Sequence, residues 1–241
     1  MRLPSCFLTY SCLILFAGVV AAPAASAQDI FVTPIPNVPF SAVVDVQRSI
    51  VGSDGSIASF HTVREIARDN QGRIHNEARP LVPASDATTP PVYRVHLYDP
   101  QTRISTMIVP GKRLFWTETV NHPPSTVPPS PRFGSATQQG LPQNDFTREE
   151  DLGVREFGAV SAHGFRETQT IPGENGGAET VVTDEYWYSD ELRINLMVKH
   201  SDPRKGTVTL TVAQIQRTEP DASAFEIPDG YHMATTQERA D

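Results

Sequence analysis

The clearest alternation of apolar and polar positions lies in the last third of the chain. Apolar side chains recur at every second position from 192 to 198 and again from 208 to 212, on either side of a turn-forming stretch at 201–206. A period of two is typical of strands with one buried face, so the pair predicts an antiparallel hairpin. The alternation slips between Val212 and Ile215, which predicts a β-bulge there.

Similar patterns predict strands through the rest of the chain. Residues 40–51, 56–68 and 73–79 form a predicted meander whose first turn contains the pair Asp54-Gly55. Further strands are predicted at residues 92–98, 103–109, 114–116, 154–160, 163–171 and 179–188. In 92–98, the side chains of Tyr93, Val95 and Leu97 share one face, and those of Arg94, His96 and Tyr98 share the other.

Helical periodicity is weak, with single turns favoured only at 220–225 and 146–152. A proline-rich stretch at about 120–146 is incompatible with a central strand, and we interpret it as a long surface connection. The pattern predicts a mainly β, antiparallel fold in one domain, residues 40–231, interrupted by this insertion. An unclosed β-barrel, or a strongly curved sheet with few short helices, fits this pattern.

The two ends of the chain differ from this domain. Residues 1–27 have the features of a secretory signal peptide: Arg2, an apolar run, and Ala25-Ser26-Ala27 before the cleavage point. A proline-rich lead-in follows at 28–39, and 232–241 is predicted to be a flexible tail. We therefore expect an exported protein, most readily periplasmic, with an extracellular destination as the alternative.

Removal of this leader changes the possible chemistry. Both cysteines, Cys6 and Cys12, lie within it, so the mature chain would have no disulfide and no thiolate site. It would carry 19 basic and 28 acidic side chains, a formal charge of −9, which argues against a nucleic-acid partner. No apolar run after residue 27 reaches the roughly 18 residues that a membrane-spanning helix needs.

No motif for catalysis or for a cofactor is evident. The seven histidines are not spaced like a local zinc site, and neither a nucleophile elbow nor a phosphate-binding loop is present. We therefore predict no catalytic residue, no metal ligand and no cofactor, and a non-enzymatic role.

The distribution of aromatic residues favours a binding role. Tyr186-Trp187-Tyr188 leads into the clear hairpin, and Leu114-Phe115-Trp116 has a comparable place in the first half. An apolar sheet face must be covered by another layer or by a ligand, and few helices are predicted to cover it. Either the sheet closes on itself, or an apolar groove remains. The candidate lining residues are Leu114, Trp116, Tyr186, Tyr188, Leu196 and Val198.

Several motifs resemble a family of exported bacterial proteins of unknown function, of acidobacterial type. They are found at residues 40–42, 54–55, 63–77, 99–100, 187–192, 201–204 and 219–231. The strand order and the closing Phe225-x-Ile227-Pro228-x-x-Tyr231 are also similar to LolA-like envelope proteins. That resemblance implies an unclosed β-barrel whose concave face receives acyl chains or a partner.

Two functions remain open at this stage, besides an enzyme without a recognisable motif. The first is binding of an apolar ligand, such as a lipid or a lipoprotein acyl chain, on the concave face. The second is an interaction module for another envelope protein, through edge-strand addition or through the proline-rich connection.

Overall fold

The first two long strands form a hairpin of twelve residues each. In the computed structural model, which describes residues 30–121, 146–173 and 177–240, β1 is Phe40–Val51 and β2 is Ile57–Arg68. Their register is continuous from Phe40 opposite Arg68 to Val51 opposite Ile57. Gly55 in the connecting turn has φ +80°, a left-handed conformation that favours glycine and agrees with the predicted turn.

Five shorter strands complete the first half of the described chain. They are β3 (Ile74–Ala78), β4 (Val82–Pro83), β5 (Arg94–Asp99), β6 (Ile104–Val109) and β7 (Leu114–Thr119). A 3-10 turn at Pro110–Lys112 joins the last two. The predicted meander is therefore present, and the strands predicted at 92–98 and 103–109 pair as a hairpin.

The second half contains five long strands and a short carboxyl-terminal region. The strands are β8 (Thr147–Phe157), β9 (Val160–Ile171), β10 (Thr180–Ser189), β11 (Ile194–Asp202) and β12 (Gly206–Gln216). After them come a 3-10 turn at Ala222–Phe225, β13 (His232–Met233) and the helix α1 (Thr236–Ala240).

The helical turn predicted at 146–152 is wrong, because this segment belongs to β8. Its polar side chains lie in a strand that pairs with β9 and is mostly exposed, so they need no amphipathic helix to remain solvated. The turn predicted at 220–225 agrees with the 3-10 turn at Ala222–Phe225.

All these strands belong to one sheet. Its order is β13-β7-β6-β5-β3-β2-β1-β12-β11-β10-β9-β8, and β4 pairs with β2 beside this path. Among the strand pairs of the described residues, β13–β7 alone is parallel. Within the described residues the end strands β8 and β13 do not pair with each other, so the predicted mainly β, antiparallel and unclosed fold is confirmed.

The centre of the sheet is the pair formed by β1 and β12. The register between these strands shifts between Ser41, opposite Gln216, and Val43, opposite Ala213. Gln214 lies within the shift and has φ +51°, so the bulge predicted between Val212 and Ile215 is present.

The core includes residues that precede the first strand. Ile30, Val32 and Thr33 are 0–3% exposed, and the first two belong to the main apolar cluster together with residues of β1, β2 and β9–β12. We call residues 30–39 the N-terminal segment. The predicted lead-in thus contributes to the core, although regular structure begins at Phe40 as expected.

The strands that flank the predicted insertion, β7 and β8, lie near opposite ends of the sheet. The connection predicted at about 120–146 follows β7 and precedes β8, and most of it lies outside the described residues, as does the predicted leader at 1–27. In the described part of the chain, no helix is both long and apolar enough to cross a membrane.

Candidate functional site

One face of the sheet can be traced across nearly all its strands by cross-strand pairs. Directly opposed residues of an antiparallel pair project to the same side, so the face that carries Ala42 continues from strand to strand. We call this the inner face and the opposite one the outer face. In one direction the pairs run through Ala42, Ile66, Asn76, His96, Met107 and Trp116.

The same face continues in the other direction. Val46 lies four residues from Ala42 along β1 and therefore on the same face, and the chain of cross-strand pairs from it runs through Leu210, Val198 and Tyr186. Trp116 and Tyr186, predicted from separate halves of the sequence to line one surface, therefore project from the same face of the sheet.

The six predicted lining residues differ in their burial. Trp116 is partly buried, whereas the other five are 0–4% exposed: Leu114, Tyr186, Tyr188, Leu196 and Val198. The sheet divides them into two groups, with Leu114 and Trp116 on β7 and the remaining four on β10 and β11.

The β10–β11 group is packed into the main apolar cluster. Tyr186, Leu196 and Val198 belong to this cluster, which also contains Ile30 and Val32 of the N-terminal segment. Burial raises the pKa of the Tyr186 phenol well above its usual range, so this side chain stays neutral at physiological pH. The register between β10 and β11 shifts between Trp187 and Tyr188. Burial raises the pKa of the Tyr188 phenol as well.

The β7 group belongs to a less buried surface. Met107 and His96 are Trp116's successive neighbours on β6 and β5, and all three side chains are partly buried. Val109, opposite Leu114, extends this surface along the strands. We call these five residues the β5–β7 patch.

Polar groups border the patch on β5 and β6. A hydrogen bond of 2.9 Å joins Nε2 of His96 to Oγ of Ser105. Tyr98, two residues from His96 on the same face, is 3% exposed, and its hydroxyl has no hydrogen-bond partner within the described residues. An unpaired buried hydroxyl costs free energy, so this group would gain from any hydrogen-bond partner that reached it.

Sequence reasoning missed Met107, His96 and Tyr98 as lining residues. The signal was present, because the alternation of residues 92–98 already placed His96 and Tyr98 on one face. Pairing that strand with the next predicted strand, residues 103–109, would have added Met107.

Buried polar contacts hold the N-terminal segment to the sheet. Arg68 is fully buried and donates to the carbonyls of Thr33, Val38 and Leu192 at 2.7–2.8 Å. Burial lowers the pKa of its guanidinium to about 10, which still leaves it charged at neutral pH. Oγ1 of Thr33 donates to the carbonyl of Arg193, so the N-terminal segment is also fixed to the β10–β11 turn.

The arrangement offers surfaces suited to binding. Among residues 30–121, 146–173 and 177–240, no group of three His, Cys, Asp or Glu side chains is placed to hold a metal ion. The patch contributes an aromatic ring, aliphatic groups and one imidazole, to which Tyr98 adds a buried hydroxyl.

Comparisons with known proteins give structural likeness only. No family model and no curated protein matches the chain, so membership of the acidobacterial-type family finds no support there. A LolA superfamily protein from Nitrosomonas europaea aligns at 8% identity and a TM-score of 0.29, covering 80% of this chain and 92% of its own.

Two further solved structures align over similar lengths. An outer membrane lipoprotein-sorting protein domain from Vibrio parahaemolyticus has 8% identity and a TM-score of 0.28, with 78% of this chain and 89% of that chain covered. The lipoprotein LppX from Mycobacterium tuberculosis has 12% identity and a TM-score of 0.26, with coverage of 75% and 88%. The LolA superfamily that the sequence resembles is thus represented among these structures, at TM-scores below 0.5.

Proposed function

We propose that this protein is a non-enzymatic envelope protein that binds an apolar ligand, a lipid or a lipoprotein acyl chain, on the inner face of its sheet. The observation that carries the proposal is the continuous inner face of an unclosed sheet, which includes the partly buried Trp116 and Met107. Burial of an acyl chain against these side chains would be favourable at roughly 25 cal/mol per Å² of apolar surface removed from water.

The β5–β7 patch would make the first contact with this ligand. Trp116 and Met107 offer a flat ring and a flexible thioether, which adapt to chains of different shape. Deeper entry of the ligand would reach the buried hydroxyl of Tyr98, which would then donate a hydrogen bond to an ester or carboxyl oxygen of the ligand.

The four candidates on β10 and β11 would become accessible only after a rearrangement. Tyr186, Leu196 and Val198 share their cluster with Ile30 and Val32, so the N-terminal segment occupies apolar space that a long acyl chain would share. We propose that a ligand reaching Tyr186, Tyr188, Leu196 or Val198 would displace part of this segment.

The test is ligand binding by the protein from residue 28 onward. We expect native mass spectrometry to detect a co-purifying lipid, and a fluorescent fatty-acid probe to bind saturably. Trp116→Leu should weaken probe binding about tenfold, whereas Phe115→Leu, next to it in β7 but on the outer face, should leave binding within twofold. Circular dichroism melting would verify that both variants fold.

Either of two results would contradict the proposal: no co-purifying lipid together with no saturable probe binding, or equal weakening in the two folded variants.

An interaction module is the second candidate, and β8 is the observation that favours it. This eleven-residue strand has β9 as its single partner within the described sheet, and Val154 is 69% exposed. An open edge can accept a strand from another protein. Absence of probe binding together with a co-purifying envelope protein would favour this alternative.

A further inference from the structure

Charged side chains of strands β1–β7 are divided by sign between the two faces of the sheet. Within these described strands the inner face carries four arginines and one glutamate: Arg48, Arg64, Arg68, Arg94 and Glu118. The outer face of the same strands carries carboxylates without lysine or arginine: Asp45, Glu65, Glu77 and Asp99. Because the chain has a formal net charge of −8, a positive inner face is not a result of overall composition. Such a face attracts anionic ligands.

Buried oxygen atoms without a hydrogen-bond partner lie on this same face. Within the described residues they are Oγ1 of Thr62, Oδ1 of Asn76 and the hydroxyl oxygen of Tyr98. Thr62 and Tyr98 are only 4% and 3% exposed, so their oxygens are removed from bulk solvent. Unpaired buried polar atoms cost free energy, and three on one face indicate a place for the polar part of a ligand.

These three residues and Arg64 lie on one diagonal line across β2, β3 and β5. Arg64 and Ile66 are successive inner-face residues of β2, and Ile66 is opposite Asn76, so Arg64 is a diagonal neighbour of Asn76. Ile74 is opposite Tyr98, which makes Asn76 and Tyr98 diagonal neighbours also. Diagonal neighbours are about 7–8 Å apart, within reach of long side chains. We call this line the polar row: Thr62, Arg64, Asn76 and Tyr98.

The row combines a positive charge with neutral hydrogen-bonding groups. Arg64 is partly buried, where a charge interacts more strongly than in water. Arg68 is on the same face, but its three nitrogens already donate to backbone carbonyls. The hydroxyls of Thr62 and Tyr98 can donate to an acidic oxygen, and the Asn76 amide can accept from a ligand hydroxyl or, when turned over, donate.

We infer that the polar row binds the acidic head group, a carboxylate or a phosphate, of an amphiphile. This inference rests on the proposed function, because the alkyl chain would occupy the inner face from which the row projects. It adds a preference for the head group: an anionic amphiphile binds more tightly than a neutral one with the same chain.

Three ligands that share one alkyl chain test this preference: dodecanoate, dodecyl phosphate and dodecanol. Each is used below its micelle concentration to displace the uncharged fluorescent probe diphenylhexatriene from the native protein at low ionic strength and pH 8, where both acids are ionised. We expect at least one of the anions to bind about tenfold more tightly than dodecanol, because charge-assisted hydrogen bonds are the stronger ones. Preference for dodecanoate would identify a fatty acid as the ligand type, and preference for dodecyl phosphate would identify a phospholipid.

Variants of the row test where the head group binds. Arg64→Gln should reduce the preference to within about twofold and leave the affinity for dodecanol unchanged. Arg48→Gln is the control, since it removes the same charge from an exposed position on the same face of β1 and should keep the preference. Thr62→Val should weaken anion binding about threefold without lowering the melting temperature, because its hydroxyl has no hydrogen bond within the described residues to lose.

The possible failures can be told apart. Equal affinity for the two anions and dodecanol would overturn the head-group inference while alkyl-chain binding remained. A preference that survives in both Arg64→Gln and Thr62→Val would overturn the assignment to the polar row. If neither the probe nor any of the three ligands bound, the proposed function itself would be contradicted, and the inference that rests on it as well.

Discussion

At the scale of single residues, Arg68 connects three separate parts of the chain. Its guanidinium donates to carbonyls of the N-terminal segment and of the β10–β11 turn, and it lies 5.0 Å above the ring of Phe40. A buried cation is tolerated when it is hydrogen-bonded, and here each of the three guanidinium nitrogens donates to a carbonyl. The side chain therefore fixes the N-terminal segment rather than taking part in binding.

We predict that Arg68→Met lowers the free energy of unfolding by about 3 kcal/mol or more, because three buried carbonyls lose their donor. Arg68→Lys should be intermediate, since one ammonium cannot reproduce the planar fork. Urea denaturation would measure both, with the exposed Arg48→Met as the control. A change below about 0.5 kcal/mol in Arg68→Met would show that the carbonyls find other partners.

His200 gives the fold a pH dependence. Its Nδ1 donates to the Asp184 carboxylate at 2.8 Å, and this hydrogen bond raises the pKa of His200 above its ordinary value of 6.5. Asp202 acts in the same direction, while desolvation and Lys205 oppose it. Because the folded pKa is the higher one, the stabilisation is complete below pH 6.5 and is lost as the pH rises through the folded pKa.

We therefore predict that the stability difference between the native protein and His200→Gln is largest near pH 5.5–6 and decreases toward pH 8.5. Urea denaturation midpoints of both proteins, measured across this pH range, would test the predicted decrease. His61→Gln serves as a comparison, since the hydrogen bond of His61 runs to the backbone carbonyl of Asp86 rather than to a carboxylate. A difference that is constant with pH would mean that the His200–Asp184 pair has no influence on proton binding.

At the scale of elements, packing between strands explains why a glycine lies inside β9. The ring of Trp187 on β10 covers Gly164, and a Cβ there would lie 2.8 Å from the ring carbons. Nε1 of Trp187 donates to Glu185 at 2.7 Å, which fixes the ring in this position. Glycine weakens a strand, but at this position the close approach of the indole leaves no room for a larger side chain.

The N-terminal segment acts as a covering element although it contains no helix or strand. We predict that Ile30→Ser/Val32→Ser destabilises the protein by about 3 kcal/mol or more, because two fully buried side chains lose their apolar contacts. Binding of a dye that detects exposed apolar surface should increase at the same time. Pro36→Ser, in the same segment but exposed, is the matched control and should change neither quantity.

Thermal melting and dye fluorescence would measure this pair of variants. If the Ile30/Val32 variant bound no more dye than the control, the N-terminal segment would not cover the apolar face. The proposal that a ligand displaces part of this segment would then lose its support.

At the scale of the whole molecule, the features that sequence reasoning recovered are local ones. The turn at Asp54-Gly55 and the bulge at Gln214 depend on neighbours within a few residues, so propensity and alternation identify them. The burial of Ile30 and the contact between Asn70 and Glu219 depend on segments far apart in the chain. No local pattern contains that information.

The candidate site was recovered in part for the same reason. Alternation identified Trp116 and Tyr186 as apolar-face residues, and the traced registers place them on one face. Their unequal burial was not predictable, because it depends on which segments pack over each part of the sheet.

The pairing of β1 with β12 at the centre of the sheet has a consequence for how the chain folds. The strands on each side are joined mainly by hairpins and can assemble as soon as they are synthesised. Strand β1 can pair with β12 only after the chain has been synthesised as far as Gln216, the partner of Ser41. Closing such a long loop is entropically costly, and folds with many distant contacts form in milliseconds to seconds. Until β1 pairs with β12, two partial sheets expose unpaired edge strands. During that interval the chain is most prone to self-association and to binding by a chaperone.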